Sequence, residues 1–116
     1  MMNKKIFEIN NSIITIEIAD SFCSRFRGLM FRRNLDKGHG LLITPCNSVH
    51  MMFMRFAIDV IYLDKNYTIK KIVHNLRPWL GVSMCLGAHS TLELNSGEAK
   101  ILNLQIGQTL YTVKNY

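Results

Sequence analysis

The stretch I-D-V-I-Y-L at residues 58–63 decides the fold prediction. It is β-branched, aromatic and almost continuously apolar, a pattern typical of a strand that is covered on both faces. Residues 64–66 follow it as a turn. Strands are also predicted directly before it, at 48–54, and after the turn, at 68–76, where a bulge is expected. We therefore expect 58–63 to be a central strand of a sheet.

The N-terminal segment shows a different strand pattern. Isoleucines alternate with polar residues over 12–18, which predicts a strand with one buried face. Asn10 and Asn11 tolerate the positive φ of a tight turn, so a hairpin with 6–9 is expected. The remaining predictions are a loop at 35–40, strands at 41–44, 90–94 and 109–114, an irregular excursion at 78–87 and one helical turn at 98–102.

A change of period after this hairpin marks a helix. The apolar residues that recur at helical spacing and define its buried face are Phe22, Phe26, Leu29 and Met30. This spacing predicts an amphipathic helix, with Asp20 or Ser21 as its N-cap. Gly28 weakens a helix interior by about 1 kcal/mol relative to alanine. It therefore marks either the end of the helix or a close backbone approach.

Together these elements predict a single domain, residues 1–116, of the mainly β class. Short strands spaced about 8–12 residues apart favour a jelly-roll-like β-sandwich or a partly closed barrel of about seven to eight strands with one α-helix. A chain of 116 residues can bury a core without disulfides or metals. Its cysteines, Cys23, Cys46 and Cys85, are widely spaced and are expected to be reduced thiols.

The chain is basic, with a formal net charge of +6 and a pI near 9.5. A positive balance favours anionic partners. No uninterrupted run of basic residues exceeds two, so nucleic-acid binding is disfavoured but stays open. The N-terminal segment lacks the apolar core of a signal peptide, and no apolar run approaches the ~20 residues that span a bilayer. We expect a cytoplasmic protein without a membrane partner.

The segment C-N-S-V-H-M-M-F-M at 46–54 raises the question of a metal site. On a straight strand, one face would carry Cys46, His50, Met52 and Met54. Such neighbours stand about 6.5–7 Å apart, too far to enclose one ion at ligand distances of about 2.0–2.3 Å. No metal or other cofactor is predicted, and Met52 and Met54 are expected to fill the core. A nucleophile pair of His50 and Cys46 would need a turn between them.

Five charged residues are candidates for ligand binding. Arg55 and Asp59 frame the link into the central strand, where they form either a local ion pair or an anion-binding arginine held by a carboxylate. Arg27 and Arg32 lie on a solvated helix face or pack their stems on apolar surface. Glu93 points to the opposite face from its two leucine neighbours, so it is either exposed or a partner for an arginine. Asp59, Glu93 and an arginine could meet in space.

Several phrases along the chain carry a resemblance. They are R-G-L-M-F-R at 27–32, G-L-L-I-T-P-C-N-S-V-H at 40–50, F-M-R-F-A-I-D-V-I-Y-L-D at 53–64, P-W at 78–79, L-E-L-N-S-G at 92–97 and I-G-Q at 106–108. In this order they resemble the prokaryotic family called domain of unknown function 192, over about residues 15–113. The resemblance implies a compact, mainly β, jelly-roll-like domain with one helix. It brings no activity, cofactor or catalytic residues.

Three hypotheses for function stay open. The first is a non-enzymatic module that binds a small polar or anionic ligand. The second is a hydrolase-like enzyme that uses His50 with Cys46 or a carboxylate, and the third is a basic accessory protein that binds nucleic acid or a protein partner. Trp79 is expected to cap one end of the domain, the alternative being a stacking platform for a sugar or base. The candidate ligand-binding residues are His50, Arg55, Asp59, Arg27, Arg32, Glu93 and Cys46.

Overall fold

The computed structural model describes residues 3–113, apart from the side chains of Phe22 and Cys23. Within this range the chain forms nine β-strands and two short helices. In chain order they are β1 (Asn3–Ile9), β2 (Ser12–Ala19), α1 (Phe22–Arg27), β3 (His39–Ile43), β4 (Ser48–His50), β5 (Ile58–Leu63), β6 (Ile69–Leu76), β7 (Val82–Met84), β8 (Ser90–Asn95), α2 (Glu98–Ile101) and β9 (Tyr111–Thr112). The mainly β prediction is confirmed.

Seven strands form one curled sheet, in the order β6-β5-β8-β3-β2-β1-β9. β2 and β3 run parallel, and the other neighbours are antiparallel. The chain around the start of β6 meets the segment before β9, because Thr68 bridges Thr109 and the Gly107 N–H donates to the Ile69 carbonyl at 2.8 Å. The sheet is therefore a half-barrel, which confirms the expected partly closed form. β4 and β7 pair separately as a two-stranded sheet.

The seven-stranded sheet buries an apolar cluster on each of its faces. On one side Ile61 and Leu63 of β5 belong to the same cluster as Ala99 of α2, and we call this side the α2 face. On the other side Val60 and Tyr62 belong to a cluster that includes residues from β4 and from the segment after α1; this is the α1 face. Strand side chains alternate, so β5 supplies both clusters and all its residues are buried. The predicted strand covered on both faces is confirmed.

Several local predictions are also confirmed. Asn10 and Asn11 turn between β1 and β2 with φ of 47° and 70°. β6 carries the expected irregularity, seen as register shifts against β5. Ser21 caps α1, since its Oγ accepts the Ser24 N–H at 3.1 Å. β8 and α2 each differ from their predicted bounds by one residue.

α1 is shorter than predicted. It ends one residue before Gly28, whose φ is 49°, a conformation that glycine adopts without steric cost. The predicted buried face is wrong at Phe26, whose side chain is exposed, whereas Leu29 and Met30 reach the core from the segment after the helix. The Phe22 side chain, predicted on the same face, lies outside the described residues.

The predicted strand at 48–54 is wrong in its second half, because β4 ends early. The chain turns there: Phe53 has a φ of 63°, and the Met54 N–H donates to the Met51 carbonyl at 3.2 Å. The turn buries Met51 and Met54 but exposes Met52. The expectation that Met52 fills the core is therefore wrong, while Met54 does so.

Three other segments differ from their predictions. The segment at 78–87, expected to be irregular, contains β7, which pairs antiparallel with β4. β3 begins inside the predicted loop at 35–40. Within the predicted strand at 109–114 two residues form β9, and Lys114 lies outside the described residues. In the part of the chain that the structure describes, no helix has the length and apolar character to cross a membrane.

Candidate functional site

A small cleft opens between α1 and β4 on the α1 face. Its sides are residues 25–30 and 48–50, and its lining is completed by Ile43, Cys46, Met54 and Glu93. The cavity volume is about 60 Å³, room for a few water molecules or one end of a small ligand. A Cβ at Gly28 would lie 3.6 Å from Ile43 Cδ1 and 3.9 Å from Glu93 Oε1. The glycine therefore lets the end of the helix approach the Glu93 carboxyl closely.

Glu93 is the charged residue of the cleft lining that is most deeply buried. Its side chain lies on the α1 face, away from Leu92 and Leu94, which confirms the facing expected from alternation. It is 4% exposed, and burial raises its pKa to about 7, while the Arg32 charge acts in the opposite sense. No donor in the described part of the chain hydrogen-bonds to it. A carboxyl group that is half protonated near neutral pH therefore faces the cleft.

Arg32 does not form the ion pair with Glu93 that the sequence left open. Its Nη2 lies 3.2 Å from Oε2 of Glu17 on β2, and this ion pair is partly exposed. Arg32 is therefore engaged elsewhere and influences Glu93 through its charge alone.

Arg25 is a site residue that the sequence analysis did not single out. It lines the cleft, and its Nη1 donates to the Pro45 carbonyl at 3.3 Å. Its Nε is buried without a hydrogen-bond acceptor among the described residues. Helical spacing was the available signal, since Arg25 lies three and four residues before Gly28 and Leu29 and so shares their side of the helix.

Arg27 and His50 add to the basic character of the cleft. Both line it and both are exposed, so they can reach a ligand from solvent. The structure thus brings together four predicted site residues, Arg27, His50, Glu93 and Cys46. The buried Glu93 carboxyl and the Arg25 side chain line the cleft, and further basic groups lie at its exposed edge.

Cys46 does not form the predicted alternative pair with His50. Its thiol donates to the Ser48 carbonyl at 3.1 Å, and no hydrogen bond joins it to the His50 imidazole in the described range. Among the side chains described within residues 3–113, which do not include that of Cys23, no group of three or more His, Cys, Asp or Glu could hold a metal ion.

Asp59 and Arg55 lie apart from the cleft. Asp59 pairs with Leu94 in the sheet while Glu93 pairs with Val60, so the two carboxyls point to opposite faces. The expectation that Asp59 and Glu93 could meet is wrong for this reason. Arg55 is exposed and forms no ion pair with Asp59 within the part of the chain described.

Asp59 instead joins three segments on the α2 face. Its carboxylate accepts the backbone N–H groups of Asn75 at 2.9 Å, Gly97 at 3.0 Å and Ala99 at 2.9 Å. Gly97 is the N-cap of α2, which has no side-chain cap of its own. A buried aspartate on β5 therefore serves as the cap of α2 and holds the end of β6 beside it.

Trp79 does not cap the domain as expected. It is exposed and packs edge-on against Phe53, with ring centroids 5.2 Å apart. Its exposure leaves the ring accessible from solvent.

Comparison with known proteins identifies the family to which this chain is similar. The profile of domain of unknown function 192 (DUF192), described as an uncharacterised ACR, matches residues 5–112. A UPF0127 protein of Thermococcus sibiricus is 35% identical over 99 residues, which is 82% of this chain and 64% of that protein. A UPF0127 protein of Pyrococcus abyssi is 35% identical over 98 residues, 79% of this chain and 80% of its own. The chain thus spans somewhat less than two thirds of the Thermococcus relative.

Two solved structures share the fold. One, provisionally described as a transcription regulator of Sinorhizobium meliloti, superposes with a TM-score of 0.85 at 24% identity, over 94% of this chain and 92% of that one. The other, a Novosphingobium aromaticivorans protein of unknown function, gives 0.82 at 20% identity, over 95% and 84%. Because both sequence identities are below 25%, these similarities show a shared fold alone.

Proposed function

Since the chain belongs to the domain of unknown function 192 family, which brings no assigned activity, we propose a function from the cleft: a binding module for a small ligand. The ligand carries an anionic group for the basic residues and a hydroxyl or amine that donates to Glu93. Small hydroxy acids and amino acids have this chemistry. This proposal narrows the leading hypothesis from the sequence, a binder of small polar or anionic ligands, to ligands that carry both an anionic group and a donor group.

One observation carries the proposal. Arg25 and Glu93 line the same cavity; the Arg25 Nε is buried without an acceptor, and no hydrogen bond to the Glu93 carboxyl is formed among the described residues. A buried polar group without a partner costs about 1–3 kcal/mol. A ligand that offers an acceptor to the Arg25 guanidinium and a donor to Glu93 would offset part of this cost, so the cleft favours a molecule with one acceptor and one donor close together.

The charge distribution supports the same ligand class. Arg25, Arg27 and His50 line the cleft together, and arginine guanidinium groups bind carboxylates with short, charge-assisted hydrogen bonds. Glu93 can accept a hydrogen bond from a hydroxyl or ammonium group when it is ionised. The cavity of about 60 Å³ takes only a few heavy atoms, and a wider depression of about 380 Å³ that also contains Arg25, Cys46 and His50 adjoins it, so the cavity fits one end of a ligand.

An NMR titration of the ¹⁵N-labelled protein tests this proposal. Glycolate and glycine are the probes, and acetate, which lacks the donor group, is the matched comparison. We expect the amide signals of Gly28 and Ser48 to shift, and Kd to be about tenfold lower for glycolate or glycine than for acetate. Arg25→Gln should weaken binding of all three probes, whereas Arg33→Gln, at an exposed residue outside the cleft, should not. Absence of shifts around the cleft, or unchanged glycolate binding in Arg25→Gln, would contradict the proposal.

The pKa of Glu93 supports a second candidate, the hydrolase-like enzyme. A carboxyl group with a pKa of about 7 is matched to general acid–base chemistry at neutral pH, and His50 lines the same cleft. In this candidate the two residues would share the proton transfers.

Hydrolysis of p-nitrophenyl acetate tests the enzyme. We expect a rate that changes around pH 7 and falls roughly 100-fold or more in Glu93→Gln or His50→Gln. Cys46→Ser should then retain the rate, because the Cys46 thiol is bonded to a backbone carbonyl. A wild-type rate equal to that of His50→Gln would remove this candidate and leave the binding module.

A further inference from the structure

An exposed apolar surface lies beside the cleft and takes no part in it. We call Phe31, Phe53, Trp79 and Leu80 the aromatic patch. Their side chains are 58%, 40%, 56% and 88% exposed. The ring centroids of Phe31 and Phe53 lie 5.3 Å apart, and those of Phe53 and Trp79 lie 5.2 Å apart. The rings therefore form one continuous surface from three separate loops.

The backbone holds these rings in place. The Phe31 N–H donates to the Phe53 carbonyl at 3.0 Å, and the Trp79 N–H donates to the Met51 carbonyl at 2.7 Å. Phe31, Phe53 and Trp79 have φ of 68°, 63° and 68°, a left-handed conformation that is unfavourable for bulky residues. Strain of this kind persists where the surroundings enforce it and concentrates at functional sites. The loops therefore present the aromatic rings to solvent in a fixed arrangement.

The charged residues of the three segments that carry the patch have one sign. Arg33, Arg55 and Arg77 are exposed, and each lies two residues from one of the three rings. The loop segments 28–35 and 51–58 contain no aspartate or glutamate, nor does 76–86. The surface thus combines exposed apolar groups with a positive rim, which matches an anionic partner that also has an apolar interior.

Two other kinds of partner fit the aromatic patch less well. An isologous contact between two copies would bring both sets of arginines together around one apolar centre, and like charges at close range are destabilising. A single-stranded nucleic acid would stack its bases on the rings. It would leave the most exposed member of the patch, the aliphatic Leu80, without a partner.

We propose that the aromatic patch is a contact surface for an anionic lipid bilayer. Phe31, Phe53, Trp79 and Leu80 enter the interfacial region, and the neighbouring arginines bind anionic headgroups. The sequence predicted no membrane partner because it contains no apolar run that could span a bilayer, but a peripheral contact needs no such run. This inference does not depend on the binding cleft, since none of these residues lines it.

Trp79 is the single tryptophan of the chain, so its fluorescence reports directly on the patch. With vesicles of equal parts phosphatidylcholine and phosphatidylglycerol, we expect its emission to shift to shorter wavelength. With phosphatidylcholine alone the shift should be much weaker, and added salt should reduce it. No shift with the anionic vesicles would overturn the proposal. So would quenching by an oligouridylate together with no vesicle effect, or a dimer in solution that Leu80→Gln disrupts.

Vesicle co-sedimentation of variants completes the test. Arg77→Gln should weaken partitioning roughly fivefold, and Leu80→Gln roughly tenfold. Matched controls lie on α2, where Lys100→Gln and Ile101→Gln remove an exposed charge and an exposed apolar side chain. Circular dichroism confirms that each variant is folded. Equal partitioning of the patch variants and their controls would contradict the proposed surface.

Discussion

Replacing Asp59 by alanine is expected to lower the free energy of unfolding by roughly 3–5 kcal/mol. Asp59 is fully buried on the α2 face, and its two carboxylate oxygens accept N–H groups from Asn75, Gly97 and Ala99. Alanine would leave all three donors without an acceptor. It would also remove the cap from α2 and the link between α2 and the end of β6.

Asp64→Ala is the matched control for this prediction. Asp64 also accepts two backbone N–H groups, those of Asn66 and Thr68, but it does so in a surface turn where water can replace it. Asp64→Ala should therefore lower the free energy of unfolding by clearly less than Asp59→Ala. Urea unfolding of the three proteins, compared at a common m value, measures both effects. If Asp59→Ala lost no more stability than Asp64→Ala, the role assigned to Asp59 would be wrong.

The strands that local pattern specifies were predictable from the sequence. The continuous apolar run of β5 and the alternation in β2 each state which faces are buried, and the two asparagines between β1 and β2 suit the turn that joins them. These signals depend on neighbours within a few residues, so no knowledge of the fold is needed to interpret them.

The elements that distant pairing creates were not predictable. β7 has three residues and exposes Val82 and Met84, so it shows neither a buried run nor a buried alternation. It is a strand because it pairs with β4, more than thirty positions earlier in the chain. The turn after β4 was missed because apolar residues continue through it. Its positive φ falls on Phe53 rather than on a residue that usually marks a turn, such as glycine or asparagine.

The candidate site was predictable in part. Alternation along L-E-L placed Glu93 opposite its leucine neighbours, and this is confirmed. That Glu93 is buried rather than exposed depends on α1 packing over the sheet and on Gly28 allowing close approach. The grouping of Asp59 with Glu93 failed because the register between β5 and β8 decides which residues share a face, and the sequence does not specify that register.

Burial of Glu93 predicts an unusual dependence of stability on pH. The pKa of Glu93 rises from 4.5 to about 7 in the folded protein because burial disfavours the charged form. Between these pH values the unfolded chain releases the proton while the folded protein keeps it, so this group makes the folded state progressively less favourable as pH rises. One pKa unit corresponds to about 1.36 kcal/mol, so the loss reaches roughly 3 kcal/mol by neutral to mildly alkaline pH.

Glu93→Gln is expected to abolish this loss of stability with rising pH. Glutamine has nearly the same shape but does not titrate, so any packing or hydrogen-bonding cost of the substitution is the same at every pH. The free energy of unfolding of the variant minus that of the wild type should therefore rise between about pH 4.5 and 7 and stay level above. Glu8→Gln, which removes an exposed carboxyl on β1, is the control and should follow the wild-type curve. Parallel curves for wild type and Glu93→Gln across this pH range would contradict a protonated Glu93 at the base of the cleft. They would also remove the acid–base candidate, because that candidate needs Glu93 to exchange its proton near neutral pH.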